Sequence, residues 1–415
     1  MNDGVELTFF RALPSIHLIL NRPQLAHVIL SAFLVSSCSD DSRSPIAAET
    51  GTLDIVIKTI GTDFDADGYS LFAGDESVHA GVTTTISLDV APGVIPIRLQ
   101  GLAGNCFLMA PDTTKAEVVL SRTTIVALTV DCFGRATRLL YTEWNGTDNQ
   151  IVINEPFLPG KSILKPALTF ISHAVWSPDG TQIYISGTDR PLVPIIGGGL
   201  AIPNTDVFRM SVTGAGLTNV TASDGHKSNP SVSPDGRQVA FSNGDLWVIG
   251  ADGSGRRRLT ETGEVEEDNP RWSPTGDRIL FSSTNPTSPD GESRIESIRP
   301  DGSDRRAIPV LAMSRARHPV LSPDGSKLAF VGVLSGTSTS QIFVANADGT
   351  SRRPLPGTRN LDQYLEWSAN GRWILFTRFD NPSGTASRLH MVSIDGAVVV
   401  PLVTTGRPIR GSWIN

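Results

Sequence analysis

NPRWSPTGDRILFSS, residues 269–283, returns along the chain as AVWSPDGTQIYIS (174–186), NPSVSPDGRQVAFSN (229–243), HPVLSPDGSKLAFVG (318–332) and YLEWSANGRWILFTR (364–378). A half-copy, IRGSWIN (409–415), ends the sequence. The tryptophan of the unit and its equivalents stand at Trp176, Val232, Trp272, Leu321, Trp367 and Trp413, separated by 56, 40, 49, 46 and 46 residues. Repeats of that length are the mark of stacked β units. Each copy reads as a strand, a tight turn and a second strand. Proline presets φ in the turn, and glycine takes the conformation that other residues avoid. A third strand follows (DLWVIGADG, QIFVANADG, RLHMVSIDG), closing in Asp-Gly, and a more polar fourth strand (RRRLT, RRAIP, RRPLP) ends the unit. An aromatic inner strand, apolar middle strands and a charged outer strand are what a radial blade requires.

These units resemble the PD40, or WD40-like, repeats of the TolB family. The resemblance runs from about residue 137 to 415 and implies a six-bladed β-propeller. TRLLYTEWNGTDNQIVINEP (137–156) lacks a preceding Trp-Ser unit, and RPIRGSWIN is an inner strand without its blade. Joined, they make one blade and stitch the ends of the ring together. TolB-like proteins carry an α/β domain ahead of the propeller, whereas this chain has β strands and a cysteine pair there.

From Thr52 to Cys132 come short alternating or apolar runs at 53–59, 69–73, 83–90, 94–102, 106–110, 116–120 and 124–130. Their β-branched content and period of two predict strands, and roughly seven strands in so short a segment predict a β-sandwich. The segment loosely resembles PEGA-like and immunoglobulin-like modules of bacterial envelope proteins. Cys106 and Cys132 are expected to pair in an exported chain. Asp63, Asp65, Asp67 and Gly68 form D-x-D-x-D-G, a spacing that can wrap a Ca2+ ion. An EF-hand would need glutamate where Gly74 stands, and a polar hairpin loop is the other reading. No other cofactor is expected.

Ala26 to Ser37, AHVILSAFLVSS, is too short to span a bilayer and suits the apolar region of a secretory signal. Val35-Ser36-Ser37-Cys38 resembles the lipobox of bacterial lipoproteins, which implies lipidation of Cys38. The expected organisation is therefore a signal over 1–37, a polar tether over 38–51, the β-sandwich domain over 52–133, and over 137–415 the six-bladed propeller closed by the C-terminal strand, all-β throughout. The expected location is the bacterial cell envelope, with the membrane reached only through the lipid anchor.

A net charge of −7 and the lack of a basic run longer than Arg256–Arg257–Arg258 argue against a nucleic-acid partner. The sequence holds no G-x-S-x-G elbow, H-E-x-x-H, P-loop or dinucleotide fingerprint. Propellers of this type sometimes precede a serine-peptidase domain, and with the closing strand at Asn415 none is expected here. The expected function is a monomeric, non-catalytic binding or scaffold protein for an envelope protein or cell-wall glycan. A polysaccharide-processing, lyase-like enzyme with its site in the channel is the alternative, and a purely structural envelope protein a third reading.

Three residues before each Trp-equivalent position stand His173, Asn229, Asn269, His318, Tyr364 and Arg410. All can donate a hydrogen bond, and a ring of them around a central channel would receive a carboxylate, a peptide loop or a sugar. In the resembled family this mouth receives the partner lipoprotein. Glu266, Glu267 and Asp268, with His226 on a neighbouring loop, are expected at the rim, where the acids would favour a basic partner.

Overall fold

The computed structural model describes residues 49–415 apart from 111–112, 135–136, 147, 158–159, 196–199, 224, 289–290 and 415. The signal segment, Cys38 and most of the tether lie outside the described residues.

The first of the described strands form two four-stranded sheets around one core. One sheet runs in the order Thr83–Val90, Gly51–Gly61, Thr123–Cys132, Cys106–Leu108, and the other Glu76–Ala80, Tyr69–Ala73, Gly93–Gln100, Thr114–Val118. Period-two alternation sends Leu53, Ile55 and Ile57 inward from one sheet to meet Leu71, Ile97 and Val118 from the other. Cys106 lies directly opposite Cys132 on adjacent antiparallel strands, and the two are disulfide-bonded. The last strand of this module delivers Asp131, wholly buried, against the repeats. Asp131 accepts hydrogen bonds from Trp373 Nε1 at 2.8 Å and Arg372 Nη1 at 3.2 Å. Phe107 and Phe133 pack on the same indole.

From residue 138 onward the chain forms further open sheets. Phe170–Trp176, Gln182–Thr188, Asp206–Ser211 and Thr218–Asn219 make one, and Ser228–Val232, Gln238–Asn243, Asp245–Gly250 and Arg257–Arg258 the next. The all-β expectation holds, but that of a propeller closed by the C-terminal strand is corrected. Among the described residues no sheet closes on itself. Strand Pro408–Ile414 pairs with Arg138–Trp144 and becomes one edge of an open sheet whose other edge is Lys161–Leu164. The reason lies in the ladders. A repeat unit uses its backbone hydrogen bonds among its own strands, so inner and outer strands remain edges and successive sheets meet mainly through side chains. One departure joins two units into an eight-stranded sheet through a single parallel bridge, Ser293 to Arg315. Outer edges such as Thr218–Asn219, Arg257–Arg258 and Arg353–Pro354 are only two residues long, which blunts them against pairing with other chains.

The repeated tryptophan fastens neighbouring sheets. Trp272 Nε1 donates to Ser231 O at 3.0 Å, Trp367 Nε1 to Val320 O at 3.0 Å, Trp413 Nε1 to Trp367 O at 2.7 Å, and Trp176 Nε1 to Ser412 O at 3.2 Å.

The Ser-Pro-Asp-Gly turn is held by its own side chains. Ser177 Oγ donates to Asp179 at 2.6 Å, Ser233 to Asp235 at 2.6 Å and Ser322 to Asp324 at 2.5 Å. Where the unit reads Ser-Pro-Thr-Gly, Asp277 takes over and accepts from Ser273 Oγ at 2.7 Å. The serine hydroxyl and the backbone N–H two residues on hold Asp179, Asp235 and Asp324 below the ordinary carboxylate value, Asp324 at about 2. A depressed carboxylate contributes stability above its unfolded value near 3.8, and that contribution is lost as pH falls toward the folded value. Thermal midpoints are therefore expected to fall between about pH 4 and pH 2, and less steeply in a Ser322→Ala variant. Identical acid profiles for parent and variant would reject this role for the turns.

Candidate binding site

The inner strands converge on a central channel, and each is bulged. Register shifts fall at Ile171/His173, Ser228/Ser231, Asp268/Arg271, Arg317/Val320, Gln363/Glu366 and Ile409/Ser412. A bulge re-aims a side chain, and five of the six residues singled out by spacing sit inside one, whereas His173 stays paired with Ser186 just after its bulge. Asn229, Asn269, His318, Tyr364 and Arg410 all take left-handed backbone, with φ between 53° and 57°. Asn and His tolerate this region better than most residues, whereas Tyr and Arg do not. Such conformations cost about 1–3 kcal/mol each and persist where the surroundings over-determine them. Pro230, Pro270 and Pro319 follow three of these positions, and proline, having no N–H to pair, is at home at a bulge. The displaced N–H of His318 donates to Ser282 Oγ, and that of Arg410 to Thr377 Oγ1, both at 3.0 Å. Those hydroxyls belong to the second strand of the preceding repeat.

All six side chains line one constriction of about 10 Å³, space for about one water molecule. Arg410 spreads its guanidinium 4.0 Å from the centre of the Tyr364 ring and reaches His173 Nδ1 at 3.3 Å. His318 meets the same tyrosine edge-on at 4.9 Å. Asp268 accepts from Asn229 Nδ2 and, at 2.9 Å, from Asn269 Nδ2. Among the described residues the buried Asn229 Oδ1 accepts no hydrogen bond. Burial, reinforced by Arg410, pushes His318 down to about 3 and His173 well below the imidazole range, so both rings are neutral at pH 7.

One position before each Trp-equivalent lies a second ring that spacing alone had not singled out: Val175, Ser231, Arg271, Val320, Glu366 and Ser412. It borders a wider cavity of about 250 Å³. Arg271 Nη1 and Glu366 Oε2 face each other there at 3.2 Å. Burial raises the Glu366 carboxyl and Arg271 opposes that rise. Two opposite charges at one repeat position, where the other copies are small or apolar, were the available signal.

The expected rim divides. Glu266 is exposed, but Glu267 is buried and held by Arg305 at 2.9 Å and Thr262 at 2.7 Å, because alternation along the strand turns it inward. Asp268 belongs to the ring itself. His226 is exposed, with Thr205 Oγ1 3.3 Å from its Nδ1. The Ca2+ motif also changes character. Among the described residues no group of three or more His, Cys, Asp or Glu side chains is placed to hold a metal. Asp65 instead turns in to accept from Ala103 N at 2.7 Å.

A family model described as the TolB beta propeller domain matches residues 203–414. A dipeptidyl-peptidase 5 from Porphyromonas endodontalis is 32% identical over 149 residues, 33% of this chain and 21% of that protein. The Tol-Pal system protein TolB of Francisella tularensis is 26% identical over 273 residues, 64% of this chain and 55% of that protein. The chain thus spans from about a fifth to about half the length of these relatives. The crystal structure of TolB from Acinetobacter baumannii aligns with a TM-score of 0.55 at 18% identity, covering 67% of each chain, a likeness of fold.

Proposed function

Because the chain belongs to the TolB beta propeller domain family, we propose that it is a non-catalytic binding protein of the bacterial cell envelope that takes a protein partner on the channel mouth. The observation carrying this reading is the ring of five left-handed, side-chain-bearing residues. Backbone strain gathered at one convergent place, with polar groups aimed at a common point, is typical of ligand sites. Glycine would occupy those positions without strain, so what is retained is the side chains. The Tol-Pal relative supports the envelope setting and a protein as partner. The constriction is too narrow for a folded surface, so the partner places a loop or chain end over the mouth.

A His318→Ala, Arg410→Ala double variant is expected to weaken crosslinked capture of the partner in native envelopes about tenfold or more. Its stability falls by no more than about 1–2 kcal/mol, the loss of one stacked cation. Unchanged capture with a lowered melting temperature would make the ring structural and end this reading.

A further inference from the structure

Beside the ring a second cleft of about 210 Å³ opens between repeats, bounded by Arg315, Arg317, His318, Ser340, Asn360 and Gln363 over a floor of Val331 and Val333. Its charges are unbalanced. Among the described residues neither Arg315 nor Arg317 forms an ion pair with a carboxylate. Arg317 donates from Nε to Ser293 Oγ at 2.6 Å and from Nη2 to Gly291 O at 3.4 Å, both neutral acceptors. Burial and then Arg315 disfavour its charge, and Asp268 and Glu266 oppose them. The neutral groups are also donors. Asn360 Oδ1 already accepts from Ser340 Oγ at 2.8 Å, which leaves its amide N–H groups for the cleft. A half-buried pair of like charges, opposed only in part by Asp268 and Glu266, favours an anion between them. The Arg315 fork and the N–H groups of Arg317 that remain, over a short apolar floor, match a planar carboxylate on an aliphatic stem.

We propose that this cleft binds a carboxylate, supplied by an acidic side chain or a chain terminus of a polypeptide. The proposal deepens the reading of the mouth by naming its partner's chemistry, and rests on that reading only for the partner being a protein. It also reverses the sequence expectation of a basic partner.

The test titrates N-acetylglutamate α-amide, which offers only a side-chain carboxylate, and N-acetylglycine, which offers only a terminal one, into the full chain, with neutral N-acetylglycinamide as control. The Val331 and Val333 methyl resonances are the readout. At least one acid is expected to shift them saturably, and which one does so names the source. Arg315→Gln or Arg317→Gln should weaken binding about tenfold or more, and Arg315→Lys, which keeps the charge but loses the fork, should fall between. The readout sits on the floor of this cleft and not on the ring, so a ring that proves structural does not decide this outcome. The proposal is overturned by the absence of a saturable shift, by equal binding of the neutral amide, or by undiminished affinity in both glutamine variants. Should either glutamine variant fail to fold, undiminished affinity in Arg315→Lys overturns it as well.

Discussion

A Trp373→Ala variant is expected to lose about 3–5 kcal/mol of stability, the usual cost of emptying a large aromatic site. The indole is completely buried against Phe107 and Phe133, and its N–H holds the carboxylate of Asp131. Alanine therefore leaves a cavity and removes one of the donors that keep a buried carboxylate charged. Burial already raises Asp131 above the ordinary carboxylate range despite Trp373, Arg372 and Asn370, so the variant should raise it further. Trp373→Phe keeps most of the packing and loses the hydrogen bond, which separates the two effects. Chemical denaturation decides the matter. A loss below about 1 kcal/mol, the scale of ordinary surface substitutions, would show that the first module and the repeats do not depend on this contact.

The second large effect is expected at Asp206. Its carboxylate lies 3.4 Å from the ammonium of Lys227, with both side chains almost wholly buried, and it accepts from Thr221 Oγ1 at 2.9 Å and Asn219 Nδ2 at 3.1 Å. Asp206→Ala removes from beside a buried lysine a carboxylate that also pairs with Arg190 at 3.5 Å, and breaking a buried pair costs about 3–5 kcal/mol in comparable cases. Burial already lowers Lys227 against the pull of Asp206, and removal of the aspartate should lower it further. Replacing both residues with apolar ones is expected to restore most of the loss. A double variant as unstable as the single one would contradict this account. Because Lys227 stands two residues before Asn229, the pair also fixes the approach to the mouth.

Much of this architecture was readable because turns and repeats are local. The Ser-Pro-Asp-Gly units place their strands directly, and counting back from the tryptophans finds side chains that share one constriction. What escaped depended on the third dimension. Strand Glu76–Ala80 was missed since ESVHA has no apolar alternation and is stabilised by pairing with Tyr69–Ala73. The merging of two units through Ser293 and Arg315 is a pairing that no period foretells. Glu267 was expected at the rim from its acidic run, but alternation buries every second member of such a run. Trp373 was visible in principle. Where it stands the other copies carry Gln182, Gln238, Arg278 and Lys327, so an indole among polar residues announces a covering surface. The left-handed backbone at the ring was hinted at by Asn229, Asn269 and His318, each followed by proline, but left no mark at Tyr364 and Arg410.

The direction of the indole hydrogen bonds has a meaning in time. Trp272 reaches back to Ser231, Trp367 to Val320 and Trp413 to Trp367. In a chain synthesised amino end first, each of these donors finds its acceptor already made, so every new repeat can dock as it emerges. Trp176 is the exception. Its acceptor, Ser412, comes 236 residues later. The earliest of these indoles waits until strand Pro408–Ile414 has been made, and its capture marks the arrival of that strand.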